Sequence, residues 1–362
     1  MMLTWLLLVL LAGPIDFNVH EGVSSLPIER TASSRTLDGN ELLRIGDIHE
    51  VQNHLSEALP CYQRALAVFR QGNNRRGEAS ALIKIGQIFE RQGNYEEALS
   101  ALNAALPLLA SVRDDRFQAH ALLRTGRVAE ALGRLGEAEQ AYQRARALAQ
   151  RTRDRQGETE SLIRLGGLWI NQDRVTEGLE LLQTALQDAR ARQAGDQQMA
   201  VLLLMGDARL REAHYVIGRS LYEEGLQLAK ARRNMPLEAE FKTRLARLHL
   251  ALEEYPQGLA MAQSALALYQ SLRDRPREAD TLSLIGNLHQ AEGNMSPALD
   301  HHERALALYR ALRDRMREGG SLANLAVVYE AQGVSEQPAK PNRRSSSFSS
   351  PPIQITTMNA EC

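Results

Sequence analysis

Small residues recur along this chain between apolar stripes, with a period of 40 residues. Gly86 begins the clearest unit, and Ala98 and Ala105 follow it at two further fixed positions. The residues aligned with Gly86 in steps of 40 are Gly46, Gly126, Gly166, Gly206, Ala246, Gly286 and Ala326. The alignment needs no insertion or deletion from about residue 39 to about residue 333. A fixed period of this length predicts an internal structural repeat.

Each unit is predicted to form two amphipathic helices. Leu82 and Ile85 mark the apolar stripe of the first helix, and Leu99 and Leu102 mark that of the second, at helical spacings of three and four. The short turn at residues 93–95 makes the two helices antiparallel. Glycine inside a helix costs about 1 kcal/mol relative to alanine, so its recurrence at one position predicts a close crossing of backbones.

These residues carry a family resemblance. Gly86, the aromatic Phe89, the Gly93-Asn94-Tyr95 turn, Ala98 and Ala105 resemble the tetratricopeptide repeat, over about 295 of the 362 residues. The common repeat of that family has 34 residues. The 40-residue unit is similar to the long-repeat branch, which includes kinesin light chains, GoLoco-bearing polarity adaptors and bacterial regulators. The resemblance implies an all-α fold, a right-handed α-solenoid of helix-turn-helix repeats.

Three regions are predicted. Residues 38–333 form the repeat array, with seven complete helix pairs and one trailing helix. Residues 1–37 contain a short apolar run that ends at Gly13-Pro14, and a signal segment, a buried cap and a degenerate upstream repeat all remain open. Residues 334–362 are rich in proline and serine, and we predict that they are disordered.

Composition narrows the functional classes. The chain is 44% hydrophobic and 24% charged, and its formal net charge is −1, so no global attraction to nucleic acid or to an anionic membrane is expected. Two cysteines provide neither a disulfide framework nor a zinc-binding spacing. We predict a cytoplasmic protein, although the apolar N-terminal run leaves secretion open. The sequence does not predict an oligomeric state.

No catalytic or metal site is predicted. His49, His249 and His289 share the repeat position of Phe89, called here the aromatic position, which Trp169 also occupies. Histidines in different repeats are too far apart to bind one metal ion. The sequence contains no phosphate-binding glycine loop, nucleophile motif or Cys/His cluster. We therefore predict no enzyme activity and no cofactor.

Two local features concern the helices themselves. Asp and Asn residues share the position before six of the first helices, where they would cap the N-terminus: Asn74, Asp114, Asp154, Asn234, Asp274 and Asp314. The fifth repeat carries Arg209 at the aromatic position. Looser packing or a bend is expected near residues 200–215.

The resemblance also implies a binding surface, because first helices line the concave groove of tetratricopeptide arrays. The residue two before the small one faces that groove, and it is cationic in five of the eight repeats. The candidate partner-binding residues are Arg44, Lys84, Arg124, Arg164 and Arg244, with Asn287 and Asn324. The carboxylate-binding grooves of chaperone adaptors also require Asn directly after the small residue, and Asn287 alone matches.

The residues therefore favour a ladder of cations along an extended acidic peptide over a clamp for one carboxylate. The alternative is a solvated face whose charges pair locally, for example Arg44 with Asp47. The predicted function is a non-catalytic scaffold that binds a segment of another protein. The second hypothesis is a sensor or regulatory region of a longer multidomain signalling or transcriptional regulator.

Overall fold

The computed structural model describes residues 37–331, and this part of the chain contains fifteen α-helices and no strand. The helices are α1 (Gly39–Val51), α2 (Leu55–Gln71), α3 (Arg75–Gln92), α4 (Tyr95–Ser111), α5 (Asp115–Ala131), α6 (Leu135–Arg151), α7 (Arg155–Asn171), α8 (Val175–Ala191), α9 (Gly195–Arg211), α10 (Tyr215–Ala231), α11 (Met235–Ala251), α12 (Tyr255–Ser271), α13 (Arg275–Ala291), α14 (Met295–Leu312) and α15 (Arg315–Ala331). The predictions for residues 1–36 and 332–362 lie outside the described residues.

The odd-numbered helices are the first helices of the repeats, and the even-numbered helices are the second. Every helix packs against the next along the chain, and most first helices also contact the first helix of the following repeat. This arrangement confirms the predicted all-α repeat solenoid. No helix within residues 37–331 is long and apolar enough to cross a membrane.

The recurring glycines lie where the two helices of a repeat cross. Tyr62, Tyr142 and Tyr222 of the second helices are fully buried against Gly46, Gly126 and Gly206. Leucines take the same place in the second and fourth repeats, where Leu102 lies beside Gly86 and Leu182 beside Gly166. A Cβ atom on Gly86 would be 3.1 Å from Leu102 Cγ and 3.2 Å from the carbonyl oxygen of Ala98. The predicted close crossing is confirmed.

The predicted helix caps are also confirmed. Asn74, Asp114, Asp154, Asn234, Asp274 and Asp314 each accept a hydrogen bond from the backbone N–H three residues later. Asp154 is 4% exposed, and Arg116 Nε lies 3.3 Å from its Oδ2. Hydrogen bonds from Gly157 and Arg116 lower the pKa of Asp154, although its burial acts in the opposite direction. Ala194 occupies the same position before α9 and provides no side-chain cap.

Removing the cap at Asp154 and adding one at Ala194 should change the free energy of unfolding in opposite directions. We expect Asp154→Ala to lower the free energy of unfolding by about 1–2 kcal/mol, because the N–H of Gly157 loses its acceptor. We expect Ala194→Asp to raise it by about 1 kcal/mol, because the backbone at Ala194 (φ −78°, ψ 77°) is close to that at Asp154 (φ −82°, ψ 85°). Urea unfolding of both variants measures the two changes. Equal effects would contradict the capping interpretation.

The core of the fifth repeat is continuous with that of its neighbours. Its core residues, including Met205 and Tyr222, belong to one cluster that runs from Leu162 to Leu248. The guanidinium of Arg209 turns to Glu212, with Nη1 2.8 Å from Oε2, and does not interrupt the apolar layer. The contacts of α9 with α8 and α10 are nevertheless sparser than those of the equivalent helix pairs, in agreement with the looser packing expected near residues 200–215.

Candidate partner-binding groove

All seven candidate residues lie on first helices, at the repeat positions that the sequence indicated. They divide as follows: Arg44 on α1, Lys84 on α3, Arg124 on α5, Arg164 on α7, Arg244 on α11, Asn287 on α13 and Asn324 on α15. Arg44 is exposed and has no ion-pair partner within residues 37–331. The side-chain nitrogen of Asn324 lies 3.4 Å from Ser283 Oγ. Asn287 is half-buried.

Several of the cations pair with carboxylates of the preceding repeat. Lys84 Nζ lies 2.7 Å from Asp47 Oδ1, and Arg244 Nε lies 3.5 Å from Asp207 Oδ1. Arg244 also contacts Glu240 on its own helix, with Nη2 2.9 Å from Oε1. The ladder is thus partly neutralised within the array. The pair named from sequence, Arg44 with Asp47, does not form, because Asp47 pairs with Lys84 across the repeat boundary.

Arg124 differs from these cations. Arg127 is hydrogen-bonded to Glu90, and the nearest carboxylate oxygen to Arg124 is on that same Glu90, 3.8 Å from Nη1. No acceptor within residues 37–331 lies at hydrogen-bonding distance from the Arg124 guanidinium. Burial lowers the pKa of Arg124, while Glu90 opposes that shift and Arg127 adds to it. Two arginines therefore share one carboxylate.

A cavity of about 680 Å³ opens at this point on the first-helix face. We call it the basic groove, and its lining residues are Gln87, Glu90, Arg91, Tyr95, Arg124, Arg127, Glu130, Ala131 and Arg164. Arg91 reaches Glu50, and Arg164 Nε lies 2.8 Å from Glu160 Oε1 on its own helix. Among the four arginines, Arg124 is the one without a hydrogen-bonded carboxylate in the described part of the chain.

Tyrosines of the second helices donate hydrogen bonds to carboxylates of the first helices. Tyr142 donates a hydrogen bond to Glu130 Oε2 at 3.0 Å, and Tyr222 donates one to Asp207 Oδ1 at 2.6 Å. The Tyr62 hydroxyl lies 2.8 Å from Asp47 Oδ1 and 2.9 Å from Glu50 Oε2, and it can donate its proton to either carboxylate. Burial raises the pKa of Tyr142, so its hydroxyl keeps the proton that it donates. These bonds fix the acidic side chains and hold the groove in one arrangement.

The structure brings two of the seven candidates together, since Arg124 and Arg164 line the basic groove. Arg244 lines a separate cavity of about 380 Å³ near Arg247, Arg277 and Glu240. Arg44, Lys84, Asn287 and Asn324 line neither cavity. No group of three or more His, Cys, Asp or Glu side chains within residues 37–331 is arranged to hold a metal ion.

The match to known families agrees with this geometry. The family model for the tetratricopeptide repeat matches residues 40–111, 77–151 and 237–311, which together exceed half of the chain. The chain belongs to the tetratricopeptide repeat family. A search of curated protein sequences found no match.

Solved structures share the fold of this tetratricopeptide repeat protein. One is a Signal Transduction ATPase with Numerous Domains protein with a tetratricopeptide repeat sensor, from Pyrococcus horikoshii. Its sequence is 20% identical to this chain, and the TM-score is 0.58. The match covers 82% of this chain and 45% of that one. This chain thus spans less than half of that protein.

Two further structures are Rap proteins. The apo form of RapI is 11% identical with a TM-score of 0.63, over 77% of this chain and all of that one. The Rap conjugation gene regulator of the plasmid pLS20, in complex with the Phr* peptide, is 15% identical. Its TM-score is 0.56, over 77% of this chain and 76% of that one. At these identities the likeness establishes the fold alone.

Sequence reasoning missed part of this tetratricopeptide groove. Among the lining residues of the basic groove, Arg91 lies five residues after a small residue, at a position that was not considered, and Arg127 lies directly after one, at the position that was considered only for asparagine. A visible signal was the row of Glu50, Glu90 and Glu130, which are spaced by 40 residues. Three identical carboxylates at one position of the first helix indicate a charge network on the face that the cations occupy.

Proposed function

We propose that this tetratricopeptide array, which we place at residues 38–333, is a non-catalytic scaffold that binds an acidic, extended segment of another protein. The observation that carries the proposal is Arg124, whose guanidinium opens into the basic groove without a hydrogen-bonded acceptor in the described residues. A ligand carboxylate would supply that acceptor. Charge-assisted bonds of this kind are about twice as strong as neutral ones.

The spacing of the groove favours one ligand conformation. Successive first helices are about 10 Å apart, since packed helices lie 8–10 Å from each other. A polyproline II segment has three residues per turn and advances about 3.1 Å per residue, so every third side chain points the same way after about 9.3 Å. A polyproline II segment with an acidic residue at every third position therefore matches the repeat step. The Rap regulator in complex with the Phr* peptide is a precedent for peptide binding by this fold.

Charge reversal in the groove tests the proposal with a designed probe, a fluorescent peptide of Glu-Pro-Pro repeats. We expect Arg124→Glu/Arg164→Glu to weaken its binding at least tenfold in fluorescence anisotropy, which corresponds to about 1.4 kcal/mol. The double variant removes two attractions, each worth about 0.2–1 kcal/mol, and adds two repulsions. Binding by the unmodified protein should also fall as salt is added.

The control is Arg64→Glu/Arg144→Glu, which makes the same charge change on exposed arginines of α2 and α6. These arginines have no ion-pair partner within residues 37–331. We expect this control to bind like the unmodified protein. If Arg124→Glu/Arg164→Glu reduces the helical content, Arg124→Gln/Arg164→Gln replaces it in the test. Equal binding by groove and control variants, or equal binding of a Lys-Pro-Pro peptide, would contradict the proposal.

The second candidate is a sensor region of a longer multidomain regulator. The observation in its favour is the repeat sensor of the Pyrococcus horikoshii protein, of which this chain spans 45%. A full-length transcript that continues into an ATPase or a DNA-binding domain would support this candidate. Both candidates place ligand recognition in the basic groove.

A further inference from the structure

At the aromatic position the fourth repeat carries a tryptophan, whereas the fifth and sixth repeats carry an arginine and a histidine. Trp169 on α7 packs into the seam between second helices, where its Nε1 donates to Glu139 Oε1 of α6 at 2.9 Å. The Arg174 guanidinium lies 4.1 Å from the ring centroid of Trp169. Arg209 and His249 stand at this position on α9 and α11. Their polar atoms bond to Glu212 and Glu254, both at 2.6–2.8 Å.

Cavities lie in the seam at both of these repeats. One cavity of about 520 Å³ lies between α10 and α12, and its floor includes Leu245, His249 and Met261. An equivalent cavity of about 340 Å³ lies one repeat earlier, over Leu179 and Met205. We call the two cavities together the outer groove. It is lined mainly by second helices, whereas first helices line the basic groove.

An exposed apolar pair extends the outer groove. Val216 and Ile217 lie in the first turn of α10, at the repeat positions where α4 carries Glu96 and Glu97. Val216 is 84% exposed and Ile217 is 49% exposed. Val216 precedes the cavity-lining Ser220 by four residues, so both lie on one stripe of α10. The replacement of a solvated acidic pair by exposed apolar side chains indicates a contact surface.

The rim of the outer groove is acidic. Glu180 and Glu223 are exposed there and have no ion-pair partner within residues 37–331. Glu224 also lies on the rim and pairs with Arg190 at 2.5 Å. Lys230 lines the far end of the larger cavity. An apolar floor with unpaired carboxylates at its edge fits a partner that has apolar anchors and basic flanks.

The spacing of the two cavities fits a helix. A polyproline II segment would match the same step, but the apolar floor and the exposed Val216 and Ile217 favour the continuous apolar stripe of an amphipathic helix. They are one repeat apart, a step of about 10 Å. On an α-helix, residues i and i+7 lie on one face about 10.5 Å apart. A strand places side chains on one face every second residue, about 7 or 13 Å apart, and matches this step poorly. We infer that the outer groove is a second interaction surface, which binds an amphipathic helix with large apolar residues at i and i+7 and lysine or arginine beside them.

The test uses a synthetic helical peptide of about fifteen residues, with leucines at i and i+7, flanking lysines, and alanine and glutamine elsewhere. Methyl NMR of the whole chain, labelled at methionine, records its binding. We expect the signals of Met205 and Met261 to shift, because these side chains line the two cavities. Met235 and Met316 are exposed away from the outer groove, and their signals should not change.

Filling the cavities should abolish this binding. His249→Phe and Arg209→Trp introduce the residue types found at Phe89 and Trp169, and we expect each variant to weaken peptide binding at least tenfold. Val216→Glu, a surface change toward the α4 sequence, should weaken binding without any cost in packing, so it keeps the test valid if the other variants fold poorly. All three should bind the Glu-Pro-Pro peptide like the unmodified protein, which separates this surface from the basic groove.

Three results would overturn the inference. The first is an absence of shifts at Met205 and Met261 when the basic peptide is added. The second is equal binding of a control peptide with glutamate in place of lysine, since the acidic rim should repel it. The third is unchanged affinity in all three variants. A control peptide with leucines at i and i+5 should bind more weakly, because its two anchors lie on different faces of the helix.

Discussion

Gly166→Ala should lower the free energy of unfolding by about 1–3 kcal/mol, whereas Gly167→Ala, one residue later on α7, should raise it by up to about 1 kcal/mol. A Cβ atom on Gly166 would lie 2.8 Å from Leu182 Cγ and 3.0 Å from the carbonyl oxygen of Gly178. Leu182 is fully buried and the carbonyl is part of α8, so neither can move freely. On Gly167 the same atom would lie 3.5 Å from Leu204 Cδ1, an ordinary contact.

Both variants gain the same helix propensity, so their difference isolates the helix crossing. Urea unfolding followed by circular dichroism measures both free energies under one set of conditions. If the two variants have the same stability, the glycines do not report a steric limit, and the 40-residue pattern needs another explanation. Gly86→Leu extends the test to the second repeat, where a Cβ atom alone would lie 3.1 Å from Leu102 Cγ and a larger side chain has no space.

The helix pairs and their caps could be predicted because their signals are local and repeat along the chain. Gly86 and Ala98 mark one crossing, and the same residue types mark the others at 40-residue steps. Asp154 precedes α7 by one residue, so its role needs no long-range information. Seven or eight copies of one pattern reduce the ambiguity of a single sequence, because an accidental match in one repeat would not recur.

The ion pairs of the groove could not be predicted in the same way. The position of Lys84 fixes the face on which it lies, but its partner Asp47 is 37 residues earlier. That pairing depends on how far one repeat is displaced against the next. Arg127 and Glu90 have the same offset, and their pair leaves Arg124 without a carboxylate of its own. The binding potential of the groove therefore depends on contacts between repeats, which no single repeat encodes.

The outer groove was visible in sequence only as an irregularity. Arg209 was noticed because it breaks the aromatic pattern, and a weak fifth repeat was inferred from it. The structure places the break at the surface seam and leaves the core intact. A departure from the repeat pattern can thus mark a surface for a partner as well as a defect in packing. Exposure of the neighbouring Val216 distinguishes the two cases.

His302 on α14 is the most unusual buried residue in the described part of the chain. It takes the place of Tyr62 and Leu102 beside the small residue, here Gly286, and it is 0% exposed. Neither of its ring nitrogens has a hydrogen-bond partner within residues 37–331. In the repeat pattern, the neutral Asn287 and Gln290 stand where the first repeat has the carboxylates that bind Tyr62. No carboxylate at those two positions is available to stabilise a charged imidazole.

Burial, with a smaller contribution from His301, lowers the pKa of His302. Above about pH 7 the ring is neutral in both the folded and the unfolded chain, and its charge does not affect stability. Below about pH 6.5 the unfolded chain takes up a proton that the folded chain excludes. The free energy of unfolding should then fall by up to about 1.4 kcal/mol per pH unit, until the lowered pKa of the folded state is reached.

His302→Leu should remove this acid sensitivity, because leucine already fills the same place at Leu102 and Leu182. We expect the variant to be more stable than the unmodified protein at about pH 8, since an unpaired buried polar group costs about 1–3 kcal/mol, and its advantage should grow toward about pH 5.5. Urea unfolding and hydrogen exchange in α13 and α14 measure both effects.

Some acid sensitivity should remain in the His302→Leu variant, because burial also lowers the pKa of His289. His54→Leu changes an exposed histidine and should show no growing advantage. A stability difference for His302→Leu that does not change with pH would mean that folding does not change the pKa of the ring, and it would contradict this account.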